Sequence, residues 1–191
     1  MGELQIRPAG DDAVGAVTKM INEVYAAAER GPWADGAART GPAEVAGLVR
    51  DGELVVAWLD GRLAGCVRVR RVDDDTSEFG MLAADPRHRG VGVGRELVRF
   101  AERWSREAGR ETMRLELLVP REWAHPDKEF LAAWYGRLGY RVVGTGTVED
   151  SHPDLAPLLA TPCAVVVYQK DLCDNADRGA DRATAGVRRG P

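Results

Sequence analysis

The chain has 191 residues, 45% of them apolar and 29% charged. That is enough for one well-buried α/β domain and short for two, since domains cluster near about 100–150 residues. No apolar run approaches the roughly 20 residues of a membrane span. The opening Met-Gly-Glu-Leu-Gln-Ile-Arg lacks the basic segment and apolar core of a secretory signal, so a cytoplasmic protein is expected. The net charge of -4 gives no global attraction to nucleic acid, and Cys66, Cys163 and Cys173 are scattered without metal-ligand spacing, so neither a nucleic-acid partner nor a metal is expected.

Leu4 to Arg7 reads as a first strand closed by Pro8. Asp11 and Asp12 then offer a cap to a helix in which Val14, Val17, Ile21, Val24 and Tyr25 recur at helical spacing as far as about Glu29. Gly31-Pro32 stops it, and Trp33 in the loop beyond is expected to pack back on the domain. A short helix from Ala43 to Arg50 precedes two apolar runs, Leu54–Leu59 and Leu63–Val69, and the Asp60-Gly61 between them is a strong hairpin signal. Asp73, Asp74 and Asp75 read as a solvated turn, without the further ligands that a metal requires. Glu78–Ala84 is a strand ended by Asp85-Pro86, because the residue before proline is pushed out of helical geometry.

A long amphipathic helix is expected from Gly90 to Gly109, with Leu97, Ala101, Trp104 and Ala108 on one face. Met113–Val119 reads as a strand, Asp127–Leu138 as a helix ended by Gly139, and Tyr140–Val148 and Ala164–Lys170 as the last two strands. The edge of the last strand is one that a second copy of the chain can share in a homodimer. The domain is therefore expected over 1–171. From 172 to 191 there is almost no large apolar residue to repay the entropy of ordering, and a disordered tail is expected.

The informative segment is Glu78 to Leu97: a strand, a basic glycine-rich turn, then a long helix. That order builds an anion site. The first turn of a helix leaves amides unpaired and carries partial positive charge, and glycines let phosphate oxygens approach them. A dinucleotide fingerprint requires a third glycine where Arg95 stands, and a P-loop requires Gly-Lys-Ser/Thr where Gly94-Arg95-Glu96 stands, so both fail. What remains is R-x-x-G-x-G at Arg87, Gly90 and Gly92.

With the Asp60-Gly61 hairpin upstream and Tyr135-Gly136-Arg137-Leu138-Gly139-Tyr140 downstream, in order, the chain resembles the GNAT acyltransferase superfamily from about Leu4 to Lys170. The resemblance implies an α/β fold, a mixed and strongly twisted sheet of about seven strands with four main helices, splayed between the fourth and fifth strands. It implies acetyl-CoA as cosubstrate. Pantetheine would lie in the splay against the backbone of Leu82 and Ala84, near a bulge that frees an N–H for the thioester carbonyl. The pyrophosphate would sit on the turn formed by Arg87, Arg89, Gly90, Val91, Gly92, Val93, Gly94 and Arg95. Lys128 occupies the position of a family asparagine that contacts the cofactor arm; a lysine cannot accept a hydrogen bond, so that contact becomes a charge interaction with phosphate or is lost.

The implied activity is transfer of an acetyl group to the primary amine of a small molecule or peptide. Tyr135 is the candidate proton donor to the departing thiolate and Glu78 the candidate base, with His125 and Glu116 as alternatives. Trp123, His125 and Asp127, in a long loop before the helix, are candidates to line the acceptor pocket, as is the proline- and leucine-rich connection from Asp150 to Pro162. Glu29, Asp35, Glu122 and Asp150 are candidates for an acidic pocket that receives a cationic amine. Cys66 and Cys163 fall in strands and read as buried hydrophobes rather than nucleophiles. The rival reading is a non-catalytic acyl-CoA-binding sensor, which would need Gly90 and Gly92 but not Tyr135.

Overall fold

In the computed structural model, which describes residues 2–34 and 36–173, the elements follow the sequence pattern closely. They run β1 (Leu4–Pro8), α1 (Val14–Ala28), α2 (Pro42–Arg50), β2 (Leu54–Leu59), β3 (Arg62–Arg71), β4 (Thr76–Ala84), α3 (Val93–Glu107), β5 (Thr112–Pro120), α4 (Pro126–Arg137), β6 (Arg141–Thr147), α5 (Val148–Ser151) and β7 (Cys163–Asp171). The hairpin turn falls on Asp60 and Gly61 with φ of 49° and 73°, the left-handed pair that a two-residue hairpin loop requires.

The strands form one sheet in the order β1-β2-β3-β4-β5-β7-β6. Neighbours are antiparallel except β4 and β5, which run parallel and pair only at Thr76–Thr112, Ser77–Met113 and Glu78–Arg114. Beyond Glu78 the two strands diverge, as expected from the resemblance. The last strand is not an edge, contrary to expectation. β7 pairs with β5 along nine residues and with β6 on its other side, so the free edges are β1 and β6.

The sheet is covered on both faces. Val55, Val67, Phe79, Leu97, Leu115 and Tyr135 belong to a core under α3 and α4, while Val17, Ile21, Val45, Leu54, Val56 and Met81 form a second under α1 and α2. Strand β4 serves both by means of a bulge. Cys66 pairs with Ala83 and Arg68 with Gly80, so Val67 alone faces both Met81 and Leu82, and Met81 takes a φ of 46°. The extra residue inverts the pleat: Phe79 points into one core, while Met81 and Ala83 point into the other.

Helix α3 lies close on β3 because Gly65 has no side chain; a Cβ there would stand 2.8 Å from both the Ala83 carbonyl oxygen and Val93 Cγ1. Leu172 is buried, and its amide donates to the Glu111 carbonyl at 2.7 Å, so the packed chain reaches one residue past Asp171. The expected tail from 174 onward lies outside the described residues. No helix among the described residues is long and apolar enough to cross a membrane.

Candidate active site

The divergence of β4 and β5 opens a cavity of about 800 Å³ that runs from the turn after β4 to the C-terminal end of α1. At one end the backbone is arranged for an anion. Gly90 and Gly92 adopt φ of 88° and 90°, and Gly92 is the N-cap of α3. The amides of His88, Arg89 and Val91 are satisfied within the turn, by the carbonyls of Asp85, Pro86 and His88. Those of Gly90, Gly92, Val93, Gly94 and Arg95 meet no acceptor among the described residues. Five free amides at a helix start, with Arg89 and Arg95 also lining the cavity, form a positive cradle.

Of the eleven residues expected to touch the cofactor, Leu82, Ala84, Arg89, Gly90, Gly92, Val93, Gly94, Arg95 and Lys128 line the cavity. Arg87 and Val91 do not. The Arg87 side chain folds back onto Asp85, whose carboxylate also accepts from the Arg87 amide at 2.9 Å. The guanidinium hydrogen bonds hold the Asp85 carboxyl below its usual range, so Arg87 shapes the turn from behind. Val91 points to solvent. Lys128 is buried and paired with Glu29, which also accepts from the Trp33 indole at 2.5 Å. Its charge is engaged by a carboxylate, leaving none for a phosphate, and the same pair neutralises Glu29 as a seat for a cationic amine.

Tyr135 stands where β4 and β5 part, packed against Phe79, Tyr168 and Trp134. Its hydroxyl makes no hydrogen bond to a described residue, and burial, with Tyr25, Tyr168 and Glu29 adding to it, pushes its pKa well above the ordinary tyrosine value. It therefore keeps its proton at neutral pH. Glu78 lies on the α1 side of the sheet. Its Oε1 accepts from Arg70 Nε and Nη2 at 2.9 and 2.7 Å, while Oε2, 3.3 Å from Arg114 Nε, is buried without a hydrogen bond to a described residue.

The row continues across the splay, for Arg114 also pairs with Glu116, and Glu116 Oε2 lies 2.6 Å from His152 Nε2. Arg70, Glu78, Glu116 and His152 all line the cavity. His152 belongs to the connection expected near the acceptor. Sequence reasoning passed it over, since nothing in a lone histidine before proline marks a carboxylate partner 36 residues away.

The loop before α4 behaves differently from expectation. Only Asp127 of the three candidates lines the cavity. Trp123 stacks on His125 at 5.3 Å, and His125 Nε2 lies 3.1 Å from the Arg30 carbonyl oxygen, so both rings brace the loop after α1. Glu122 is exposed and Asp150 bonds Thr147, so neither joins the site; Asp35 lies outside the described residues. Trp33 both packs back, bridging Leu159, and lines the cavity. Cys66 is buried, which pushes its thiol up to about 12 and keeps it unreactive.

The sequence profile of the acetyltransferase (GNAT) family matches residues 18–140, a span that holds most of α1, the hairpin, β4, the cradle, β5 and Tyr135. The chain belongs to the GNAT family. No curated protein matches it. Among solved structures, Ard1 from Thermoplasma volcanium is 16% identical, with 90% of this chain and 99% of that one superposed at a TM-score of 0.65. YncA from Salmonella typhimurium, solved with its cofactor acetyl-CoA, is 16% identical over 91% of this chain and 96% of that one, at a TM-score of 0.64. N-acetylglutamate synthase from Neisseria gonorrhoeae, complexed with coenzyme A and N-acetyl-glutamate, is 15% identical over 91% of this chain but 36% of its own length, at a TM-score of 0.65. At these identities the likeness establishes the GNAT fold. The chain is an acyltransferase with acetyl-CoA as cosubstrate, and the free amides, left-handed glycines and parted strands fit that donor.

Proposed function

We propose that this GNAT domain is an N-acetyltransferase that acts on a primary amine of a small molecule or peptide in the cytoplasm. The observation that carries the reading is Tyr135, a protonated phenol without a hydrogen-bond partner among the described residues, at the opening between β4 and β5. A binding-only sensor has no use for that group in that place.

Bound acetyl-CoA supplies the acetyl thioester. The cradle amides and Arg89 and Arg95 hold phosphate, and the backbone of Leu82 and Ala84, unpaired with β5, orients the arm along β4. Tyr135 donates a proton to the departing sulfur. Glu78, through Oε2, takes the proton from the acceptor ammonium by way of water, while Arg70 fixes the carboxylate through Oε1. A second assignment of the base follows from the Glu116–His152 contact: the carboxylate orients the imidazole, which lines the cavity and is only half-buried. Glu78→Gln and His152→Gln separate the two, since only loss of the true base removes the acidic limb of the kcat/KM profile.

The decisive experiment follows thiol release from acetyl-CoA over a panel of amines, with wild type and Tyr135→Phe. General acid catalysis contributes about 10²–10⁴-fold, so kcat should fall within that range while calorimetry shows acetyl-CoA affinity little changed. Near-full turnover in Tyr135→Phe would remove the acid assignment. Absence of thiol release above hydrolysis with every amine would favour the sensor.

A further inference from the structure

The acceptor half of the cavity contains one guanidinium, that of Arg39, without a carboxylate partner among the described residues. Arg39 lines it, half-buried, in the loop that leads to α2. Its backbone is fixed against α1: Asn22 Oδ1 accepts from the amides of Arg39 and Thr40 at 2.8 and 3.1 Å, and Asn22 Nδ2 donates to the Thr40 carbonyl at 3.0 Å. Its guanidinium lies 5.2 Å from the centroid of the Tyr25 ring and 5.9 Å from that of Trp33. Aromatic contacts hold a guanidinium by charge and stacking, and they leave the N–H donors of its edge unspent. No described residue accepts from them.

Most of the other charge in this half is already matched. Glu29 holds Lys128, Glu78 holds Arg70 and Arg114, and Glu116 holds Arg114 and His152. Asp127, in the first turn of α4, is exposed. A cationic acceptor such as a polyamine would find few unmatched carboxylates, whereas an anion would find Arg39.

The anion site is also close to the chemistry. The Tyr25 ring carries Arg39, and its hydroxyl lies 3.5 Å from the Leu82 carbonyl, beside the bulge at Met81. A planar fork of N–H donors matches a carboxylate in two-point fashion. Building on acetyl transfer as proposed above, we infer that the acceptor is an amino compound bearing a carboxylate, and that Arg39 is the residue that anchors that carboxylate.

The test uses the full chain and matched probes: free α- and ω-amino acids, each beside its carboxamide. A hydrogen-bonded charge contributes about 1.5–3 kcal/mol, so wild type should favour the acid over its amide by about 10- to 150-fold in kcat/KM. In Arg39→Gln that ratio should fall to near one, with KM for acetyl-CoA unchanged. Calorimetry in the presence of CoA gives a readout independent of turnover, in which the acids bind wild type and not Arg39→Gln. Equal use of acids and amides by wild type overturns the anchor and leaves acetyl transfer standing. Binding of acids through Arg39 without thiol release upholds the anchor and overturns the transfer. Neither binding nor turnover with any acid in the panel overturns the inference.

Discussion

Lys128 and Glu29 form the buried charge pair that ties the start of α4 to the end of α1, and its removal should be felt in two unequal ways. The residues are 3% and 8% exposed, so a partner left alone stays largely cut off from water. Breaking a buried pair from one side costs about 3–5 kcal/mol, whereas replacing both partners with neutral groups of similar volume is often close to neutral. Lys128→Met leaves Glu29 with its bond from the Trp33 indole, which places the expected loss near the lower bound, about 3 kcal/mol. For a chain of this length that corresponds to a fall in Tm of roughly 6–12 °C. Glu29→Gln with Lys128→Met should recover most of the loss, to within about 1 kcal/mol of wild type. Urea denaturation of the four proteins of the cycle gives the coupling directly. A single-variant loss under about 1 kcal/mol, additive in the double variant, would refute a dry pair and mean that both charges reach water.

Gly92→Glu should abolish CoA binding by calorimetry while far-ultraviolet circular dichroism stays native, because a Cβ there meets open space and the strain of its φ of 90° is confined to one turn residue, whereas the new carboxylate competes for the amides of α3; unchanged affinity would place the phosphates elsewhere. Gly65→Val should lower stability by about 1–3 kcal/mol in urea, since its Cβ would collide with the Ala83 carbonyl and Val93; a neutral result would show that α3 can lift from β3 at no cost. Asp85→Asn should change the pH dependence of stability. The folded carboxyl lies below its unfolded value of about 3.9, so its contribution is present above that pH and is lost as pH falls through the folded value. The gap in Tm between wild type and Asp85→Asn should therefore close in acid, and a gap that persists unchanged at pH 2 would contradict this.

Local signals were legible in the chain. The Asp60-Gly61 hairpin, the stops at Gly109 and Gly139 with φ of 75° and 93°, and the left-handed glycines of the cradle each depend on residues adjacent in sequence, where backbone sterics select glycine. The bulge was expected near Leu82, but its position on Met81 was not, because nothing in a methionine announces a positive φ. The charge row was hidden for a different reason. Arg70, Glu78, Arg114, Glu116 and His152 come from three strands and a connection, and each alone reads as an ordinary surface charge. Lys128 shows the limit of carrying a position over from a family. Its partner Glu29 is 99 residues away, and only the fold brings them together. Placing the last strand at an edge failed similarly, since chain order does not decide that β7 enters between β5 and β6.

The seam between β4 and β5 has a mechanical consequence. With three residue pairs joining them, β1–β4 and β5–β7–β6 are two panels on a short hinge, and the hydrogen-bond ladder cannot set the angle at which they stand. The core shared under α3 and α4 does so instead, helped by ionic staples across the gap: Glu78 to Arg114 at the hinge, and Glu29 to Lys128 at the far rim. The cradle and Arg39 belong to the first panel and its helices, whereas Tyr135 rides on α4 with the second. The distance between Tyr135 and the β4 side of the cleft is thus held by ion pairs and by the core shared under α3 and α4, such as the Phe79–Tyr135 contact, rather than by the sheet's own ladder.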